Sequence, residues 1–351
     1  MRKPIIAITM GDPGGIGPEV IAKSLQYFKK SEECHYVMIG VRSAFEILDK
    51  KLGLRFPCHF VSSLDSEQLR KDAINFLDIS SNARELLQSR KEIEGLVSGK
   101  AEAEMVFDIG KVSLINAAIA LASLEIAARL ASKGAVEALV TAPVNKAAIK
   151  LLDSTFTGHT EFLAKVANIN KYAMMFVSDR LKVTLVTIHV PLKKVSELIS
   201  EKLVLEKIRL TNYFLRTYFN IAEPRLAVCA LNPHGKETGG QEEDLIESAV
   251  QKAKKEKINV TGPLAADQLF YEAYEGRYDV LVSMYHDQGL GPFKMIAFRN
   301  GVNTTVGLPF VRTSPDHGTA FDIAYQGKAD SSSMTAALDL TRKLLFPQIR
   351  N

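Results

Sequence analysis

Tryptophan is absent from this chain, and cysteine is scarce: Cys34, Cys58 and Cys229 stand far apart, with no C-x-x-C pair. An odd, scattered set argues against a disulfide framework and against a cysteine-built zinc site. Cys229 lies inside the apolar run Leu226–Leu231 and reads as a buried, unreactive thiol. An excess of one charge is also missing. A formal net charge of +4, with no stripe of basic and aromatic residues, argues against a nucleic-acid partner. The densest basic stretch, Lys252–Lys257, contains Glu256 and reads as a solvated helix end. No apolar run approaches the ~18 residues that a membrane span needs. The stretch Ile5–Ile8 passes directly into Gly-Asp-Pro, too short for a signal-peptide core and without a cleavage pattern. The expectation is a cytoplasmic protein with no membrane and no nucleic acid among its partners. Internal repeats and low-complexity segments are absent. So are G-x-G-x-x-G and P-loop patterns, and no nicotinamide cofactor follows from a motif alone.

What is present is strand–helix alternation. A chain of 351 residues can bury a large core and suggests two lobes. Strands are expected at Ile5–Met10, Tyr36–Gly40, Ala138–Thr141, Val183–Ile188, Leu226–Leu231 and Val280–Met284. Several are continuous apolar runs without alternation, as in strands covered on both faces. Helical patterns fall at Pro18–Lys29, Val112–Ser132, Val195–Tyr218, Gln241–Lys257, Ala266–Tyr274 and Met334–Leu345. The class is therefore α/β with a mostly parallel sheet. Val61–Lys111 is polar, with little strand signal, and no composition break marks a lobe boundary.

Ligands of open parallel sheets bind beyond the carboxyl ends of the strands, and the unusual residues fall there. Ile5–Met10 leads into Gly11–Glu19 (GDPGGIGPE), and Ala138–Thr141 into Ala142–Lys146. His189, His234 and His286 each follow an apolar strand. A single histidine so placed is more often a hydrogen-bonded structural residue. Three in one topological position suit a divalent metal with coordination positions left open for substrate. Their spacing decides nothing, and pattern alone leaves both readings open. Lys294, Arg299 and Arg312, interleaved with Asn303 and Gly307-Leu308-Pro309, read either as a surface loop or as an anion pocket. The glycine-rich first loop is equally open between a ligand cradle and a tight turn.

Taken together, the motifs resemble the family of 4-hydroxythreonine-4-phosphate dehydrogenases of vitamin B6 (pyridoxal phosphate) biosynthesis. The segments that carry the resemblance are GDPGGIGPE (Gly11–Glu19), TAPVNK (Thr141–Lys146), GHTEFLA (Gly158–Ala164), TIHVPL (Thr187–Leu192), LNPH (Leu231–His234), GPLAAD (Gly262–Asp267), YHDQGLGPFK (Tyr285–Lys294) and GLPFVRTSPDHGTA (Gly307–Ala320). They run in family order over nearly the whole chain. The resemblance implies a two-lobed fold like that of isocitrate and isopropylmalate dehydrogenases, with helices on both faces of the sheets and an active-site cleft between lobes. It implies a homodimer with the active site at the subunit interface. The implied metal ligands are His189, His234 and His286, one of them donated by the partner subunit. Implied substrate contacts are His159, Thr160, Lys294, Asn303 and Arg312. Lys146 and His159 are the candidates for proton transfer, and Asp267 and Asp287 for contacts behind the metal ligands or with the cofactor.

The implied cofactors are a divalent metal (zinc, with magnesium or cobalt as alternatives) and NAD or NADP. The implied reaction is oxidation of 4-phosphohydroxythreonine at C3, followed by loss of carbon dioxide from the β-keto acid to give 3-amino-2-oxopropyl phosphate. Close relatives oxidise phosphorylated four-carbon sugar acids such as 4-phosphothreonate and 4-phosphoerythronate. Phosphate acyltransferases of related fold, and a non-catalytic metal-binding module, are the other readings. One departure from the family pattern stands out: the glycine-rich run between His234 and the paired glutamates Glu242 and Glu243 is a few residues short.

Overall fold

The run IIAIT lacks polar alternation because the strand it forms, β1 (Ile5–Thr9), is buried at every position. The computed structural model describes residues 2–26, 33–65, 67–88 and 106–347. It divides into two compact units, the first comprising Met1–Asn168 and Pro309–Thr341, the second Ile169–Leu308 and Arg342–Asn351. After β1 the strands of the first unit are β2 (His35–Gly40), β3 (Cys58–Val61), β4 (Ile74–Asp78) and β5 (Ala138–Thr141). The second unit contains β6 (Ala173–Val177), β7 (Lys182–Leu185), β8 (Leu226–Cys229), β9 (Val260–Leu264), β10 (Val280–Ser283) and β11 (Val302–Val306). The chain then returns to the first unit with β12 (Val311–Pro315). The helices are α1 (Gly17–Leu25), α2 (Arg42–Leu52), α3 (Ser80–Gln88), α4 (Leu114–Ser132), α5 (Lys146–Leu152), α6 (His159–Val166), α7 (Val195–Leu198), α8 (Glu201–Tyr218), α9 (Gln241–Lys255), α10 (Ala266–Tyr274), α11 (His286–Ala297) and α12 (Ser332–Leu345).

In the first unit the strand order is β3-β4-β2-β1-β5-β12, and every pairing is parallel. In the second it is β11-β6-β7-β10-β8-β9. There β7, β10, β8 and β9 run parallel, while β6 is antiparallel to both β7 and β11. The α/β class with mostly parallel strands is as expected. Register places Arg312 of β12 opposite Leu139 of β5, and Asn303 of β11 opposite Phe176 of β6.

Several expectations are corrected. The pattern Val195–Tyr218 is two helices, because Ile199 and Ser200 are extended and the Ser200 hydroxyl accepts the Leu203 N–H at 3.3 Å, starting α8 afresh. Val183–Ile188 ends as a strand at Leu185. The pattern Pro18–Lys29 is helical to Leu25, and residues 27–29 lie outside the described set. Val61–Lys111 contains a buried strand, β4, and an amphipathic helix, α3, while its residues 89–105 lie outside the described set. Finally, α4 is long and apolar enough by length and composition to cross a membrane. Its alanine-rich sequence packs instead as a helix of the first unit's core, where Ala117, Ala118, Leu124, Ala127 and Ala128 are buried.

Candidate active site

The glycine-rich loop between β1 and α1 is buried along its whole length. Gly11 adopts φ 71°, and a Cβ there would stand 2.3 Å from the Pro143 carbonyl oxygen, so only glycine fits. The Asp12 N–H donates to that carbonyl at 2.9 Å, and the Ile16 N–H to the Thr319 carbonyl at 2.9 Å. These bonds make the loop a packed junction between chain segments. Asp12 is buried with it. Its Oδ1 accepts the Gly14 N–H at 2.9 Å, its Oδ2 has no partner, and burial raises its pKa to about 6.

Beside that junction the first unit gathers a cluster of cationic side chains around His159. Arg312 is 2% exposed, and its Nε and Nη2 donate to the Thr141 hydroxyl at 3.2 and 2.7 Å. Burial lowers its pKa to about 10, leaving it charged at neutral pH, with Glu161 acting in the opposite direction. His159 opens α6 with an Nε2 that is buried and without a hydrogen-bond partner. Burial first, then the charges of Arg312 and Lys146, hold its pKa well below the usual imidazole value. His159 is therefore neutral at physiological pH, beside two cations. Thr160 follows it, buried, and Lys146 opens α5 on the exposed side. A neutral imidazole between cations has one nitrogen free to meet a ligand, and the surrounding charge favours an anion. Sequence reasoning named His159, Thr160, Arg312 and Lys146, but missed Thr141 and Glu161, which are close to Arg312 only through the fold.

The second unit holds the histidines. They stand four, five and three residues beyond β7, β8 and β10, rather than immediately after them. The chain beyond β7 first continues alongside β10: the Val186 and Thr187 N–H groups donate to Ser283 and Met284 carbonyls at 2.8 and 3.1 Å. His189 and His286 share a pocket of about 210 Å³ with Thr187, Leu192, Tyr285 and Asp287. Their ring centroids are 6.0 Å apart, tilted by 39°. His286 Nδ1 meets the Asp287 carboxylate at 2.7 Å, which turns Nε2 into the remaining donor atom. His189 and His234 have φ of 52° and 57°, a left-handed conformation uncommon outside glycine and concentrated at functional sites.

His234 is exposed, on the turn after β8. Among the described residues no group of three or more histidine, cysteine or acidic side chains gathers as a metal cage. The fold thus brings together two of the three histidines. Imidazoles on a partly exposed pocket suit a borderline divalent metal, with one ring already oriented by a carboxylate, so the donors present fit such an ion as an incomplete set.

The basic cluster expected after His286 is divided. Half-buried Lys294 lies on α11 and exposed Arg299 just beyond it, Asn303 is on β11, and Arg312 belongs to the other unit. Asn303 and Arg312 are strand residues, not loop residues. The Asn303 Oδ1 is buried with no partner. Asp267 is exposed in the first turn of α10. Gln288 had escaped notice: its Oε1 accepts the Met284 N–H at 2.7 Å and its Nε2 donates to the Ala230 carbonyl at 2.7 Å, tying the start of α11 to the end of β8. Its place inside YHDQG was the available signal.

The family model described as pyridoxal phosphate biosynthetic protein PdxA matches residues 34–341. The chain belongs to the PdxA family. It is 40% identical over 342 residues to a 4-hydroxythreonine-4-phosphate dehydrogenase of Desulforapulum autotrophicum, covering 97% of this chain and 95% of the relative. It is 37% identical over 344 residues to a D-threonate 4-phosphate dehydrogenase of Pectobacterium atrosepticum, covering 97% and 99%. The crystal structure of a 4-hydroxythreonine-4-phosphate dehydrogenase from Klebsiella pneumoniae superimposes with a TM-score of 0.79 at 33% identity, covering 97% of this chain and 99% of that one. The PdxA relationship accounts for the motif order read from the sequence, and the fold class agrees with the one the resemblance implied.

Proposed function

We propose that the protein is an NAD- or NADP-linked, metal-dependent 4-hydroxythreonine-4-phosphate dehydrogenase, converting 4-phosphohydroxythreonine to 3-amino-2-oxopropyl phosphate and carbon dioxide. The observation that carries the reading, within a PdxA chain, is the placement of buried, charged Arg312 near the unpartnered Nε2 of neutral His159. The guanidinium keeps its charge while buried, and its planar fork matches a phosphate edge. In this reading Arg312 binds the phosphate, with Thr160 and the Nε2 of His159 adding hydrogen bonds. Lys146, the more exposed cation, exchanges the proton with solvent. Lys294 and Asn303 are the further substrate contacts that membership of the family suggests, and the Asn303 Oδ1, buried without a partner, suits a substrate ammonium or hydroxyl group. Asp267 and Asp287 remain supporting residues, and Asp287 is already placed behind His286.

His189, His234 and His286 would hold the metal, and an all-imidazole set suits zinc or cobalt better than magnesium, which prefers oxygen. When bound, the metal supplies Lewis acidity at the substrate hydroxyl and the nicotinamide the hydride acceptor. The reading includes a cytoplasmic homodimer in which one histidine of each trio comes from the partner subunit. Support comes from the end of α11, where Met295 and Phe298 are 90% and 77% exposed close to Lys294.

The test is NADH or NADPH production from 4-phosphohydroxythreonine, with and without chelator. Chelator-sensitive turnover is expected, and turnover that survives full chelation would remove the metal from the reading. A second reading, oxidation of 4-phosphothreonate or 4-phosphoerythronate, is favoured by the 37% identity to the Pectobacterium D-threonate 4-phosphate dehydrogenase. Comparing kcat/KM on both substrate types decides between them.

A further inference from the structure

The turn that carries His234 is held from outside itself. Residues Asn232, Pro233, His234 and Gly235 form a β-turn, closed by the Gly235 N–H donating to the Asn232 carbonyl at 3.1 Å. Its third position is His234, at φ 57° and ψ 13°, where a turn of type II takes glycine or asparagine. An L side chain is disfavoured there and persists only when its surroundings over-determine the backbone.

The surroundings are the first turn of α9. Glu243 Oε1 accepts the Asn232 backbone N–H at 2.7 Å and the Asn232 side-chain amide at 3.2 Å. Glu242 Oε1 accepts the same amide at 2.9 Å. Glu243 is fully buried, and its other oxygen, Oε2, has no hydrogen-bond partner. Burying a carboxylate with one oxygen unmet opposes folding, so stability does not account for a glutamate at this place. What it accomplishes is position, because it grips the residue that opens the His234 turn by two separate donors. Gly239 completes the arrangement: its N–H donates to the Gly235 carbonyl at 2.8 Å. A Cβ on Gly239 would lie 2.3 Å from Glu243 Cγ and 3.0 Å from Asn232 Nδ2. The short run between His234 and the paired glutamates therefore folds down directly onto the clasp.

We propose that Glu243, assisted by Glu242, is a positioning residue for His234: the two carboxylates clasp Asn232 and so fix the left-handed turn that presents the imidazole as a metal ligand. The inference rests on the three-histidine reading above. It makes Glu243 a group acting through Asn232 and the turn, with no contact to substrate.

The experiment is Co²⁺ titration of the full-length chain by calorimetry, together with the visible spectrum of the Co²⁺ form and the melting temperature of each variant. Glu243→Ala and Asn232→Ala are expected to weaken Co²⁺ binding about 10- to 100-fold, the usual effect of removing a group behind a ligand, and to alter the Co²⁺ absorption bands. Glu243→Gln keeps an oxygen acceptor for both Asn232 donors and is expected to bind nearly as the unaltered protein does. Asn232→Ala retains the backbone N–H that meets the buried carboxylate, so it carries the test even if Glu243→Ala does not fold. His234→Ala separates the two levels of the reading. If it binds Co²⁺ normally, the histidine assignment itself falls. If it loses Co²⁺ while Asn232→Ala and any folded Glu243→Ala keep full affinity, the clasp is overturned and the histidine assignment stands. A loss in Glu243→Gln as deep as in Glu243→Ala overturns it as well, because acceptor geometry would then not be what holds the turn.

Discussion

In the first unit, burial and neighbouring charge move the pKa of His159 and of Asp12 away from their ordinary values. His159 stays neutral because burial and the charges of Arg312 and Lys146 oppose its cation. Asp12 keeps its proton up to about pH 6 because burial opposes its anion, although hydrogen bonds from Gly14 and Asn116 act the other way. Around Asp12 stand Asn116 of α4, the Tyr325 ring, whose hydroxyl donates to the Pro13 carbonyl at 2.9 Å, and Glu19 of α1, paired with Lys23 at 2.8 Å. The consequence for stability has a definite sign. Below the ordinary value of 3.8 Asp12 is protonated in folded and unfolded chains alike. Between there and about 6 the folded chain holds a proton that the unfolded chain has released, so stability falls as pH rises. Above that window the buried carboxylate is ionised, at a cost of about 3 kcal/mol from the difference in pKa. Asp12→Asn keeps an oxygen for the Gly14 N–H and is neutral at every pH. Its unfolding free energy in denaturant should match that of the unaltered protein near pH 3 and exceed it by about 3 kcal/mol near pH 8. A difference that does not vary with pH would mean that Asp12 titrates as an ordinary carboxylate.

At the scale of elements, α11 is the piece on which the metal ligands proposed for the second unit depend. It begins with His286, carries Lys294, and buries Leu290, Phe293 and Ala297 against Leu181, Val183 and Leu185 around β7. The close approach is possible at Gly289, where a Cβ would stand 2.7 Å from Leu185 Cδ2 and 3.0 Å from Val183 Cγ1. Gly289→Ala should therefore push α11 off β7, destabilising the fold by about 1–3 kcal/mol through overpacking. Since β7 leads to His189, the same variant should also weaken metal binding by disturbing the 6.0 Å ring separation. A lower melting temperature with unchanged metal affinity would show that α11 does not set the place of His286. This helix was not legible in the sequence, because Gly289, Gly291 and Pro292 interrupt any helical pattern. Strands β11 and β12 were hidden for a related reason. VNTTV and VRTSP put polar residues at buried positions, so Asn303 and Arg312 read as loop residues when they are ladder residues. The expected strands β5 and β10 are apolar or nearly so, but β6, AMMFV, is as apolar and fully buried and lies outside every expected strand, because a run of five apolar residues alone does not distinguish strand from helix. Site residues could be named by type and motif, but the grip of Glu243 on Asn232 spans a turn whose shape no local pattern announces.

At the scale of the whole molecule, the PdxA match over residues 34–341 and the local geometry pose one question together. The trio His189, His234 and His286 is a sensible ligand set, yet the described residues of one chain do not gather it. If a second copy donates one histidine, each site belongs to two chains, and an isologous dimer contains two such sites. Suppose the three single alanine variants at these positions are purified, mixed in pairs, and exchanged by mild dissociation and reassociation. Two lesions on chains that contribute different histidines concentrate in one of the two sites of a mixed dimer and leave the other whole. Half of the dimers are mixed, so about a quarter of the full activity should return. Two lesions in histidines contributed by the same chain leave one lesion in every site, and nothing returns. A single donated histidine therefore predicts recovery in two of the three mixtures, and the variant common to both names the donated ligand. Bound Co²⁺, measured on the same mixtures, should return in the same proportion as turnover. Failure of all three mixtures, with subunit exchange verified independently, would place the whole trio on one chain. The incomplete set would then have to close by a movement of the His234 turn, the segment that Glu243 holds in place.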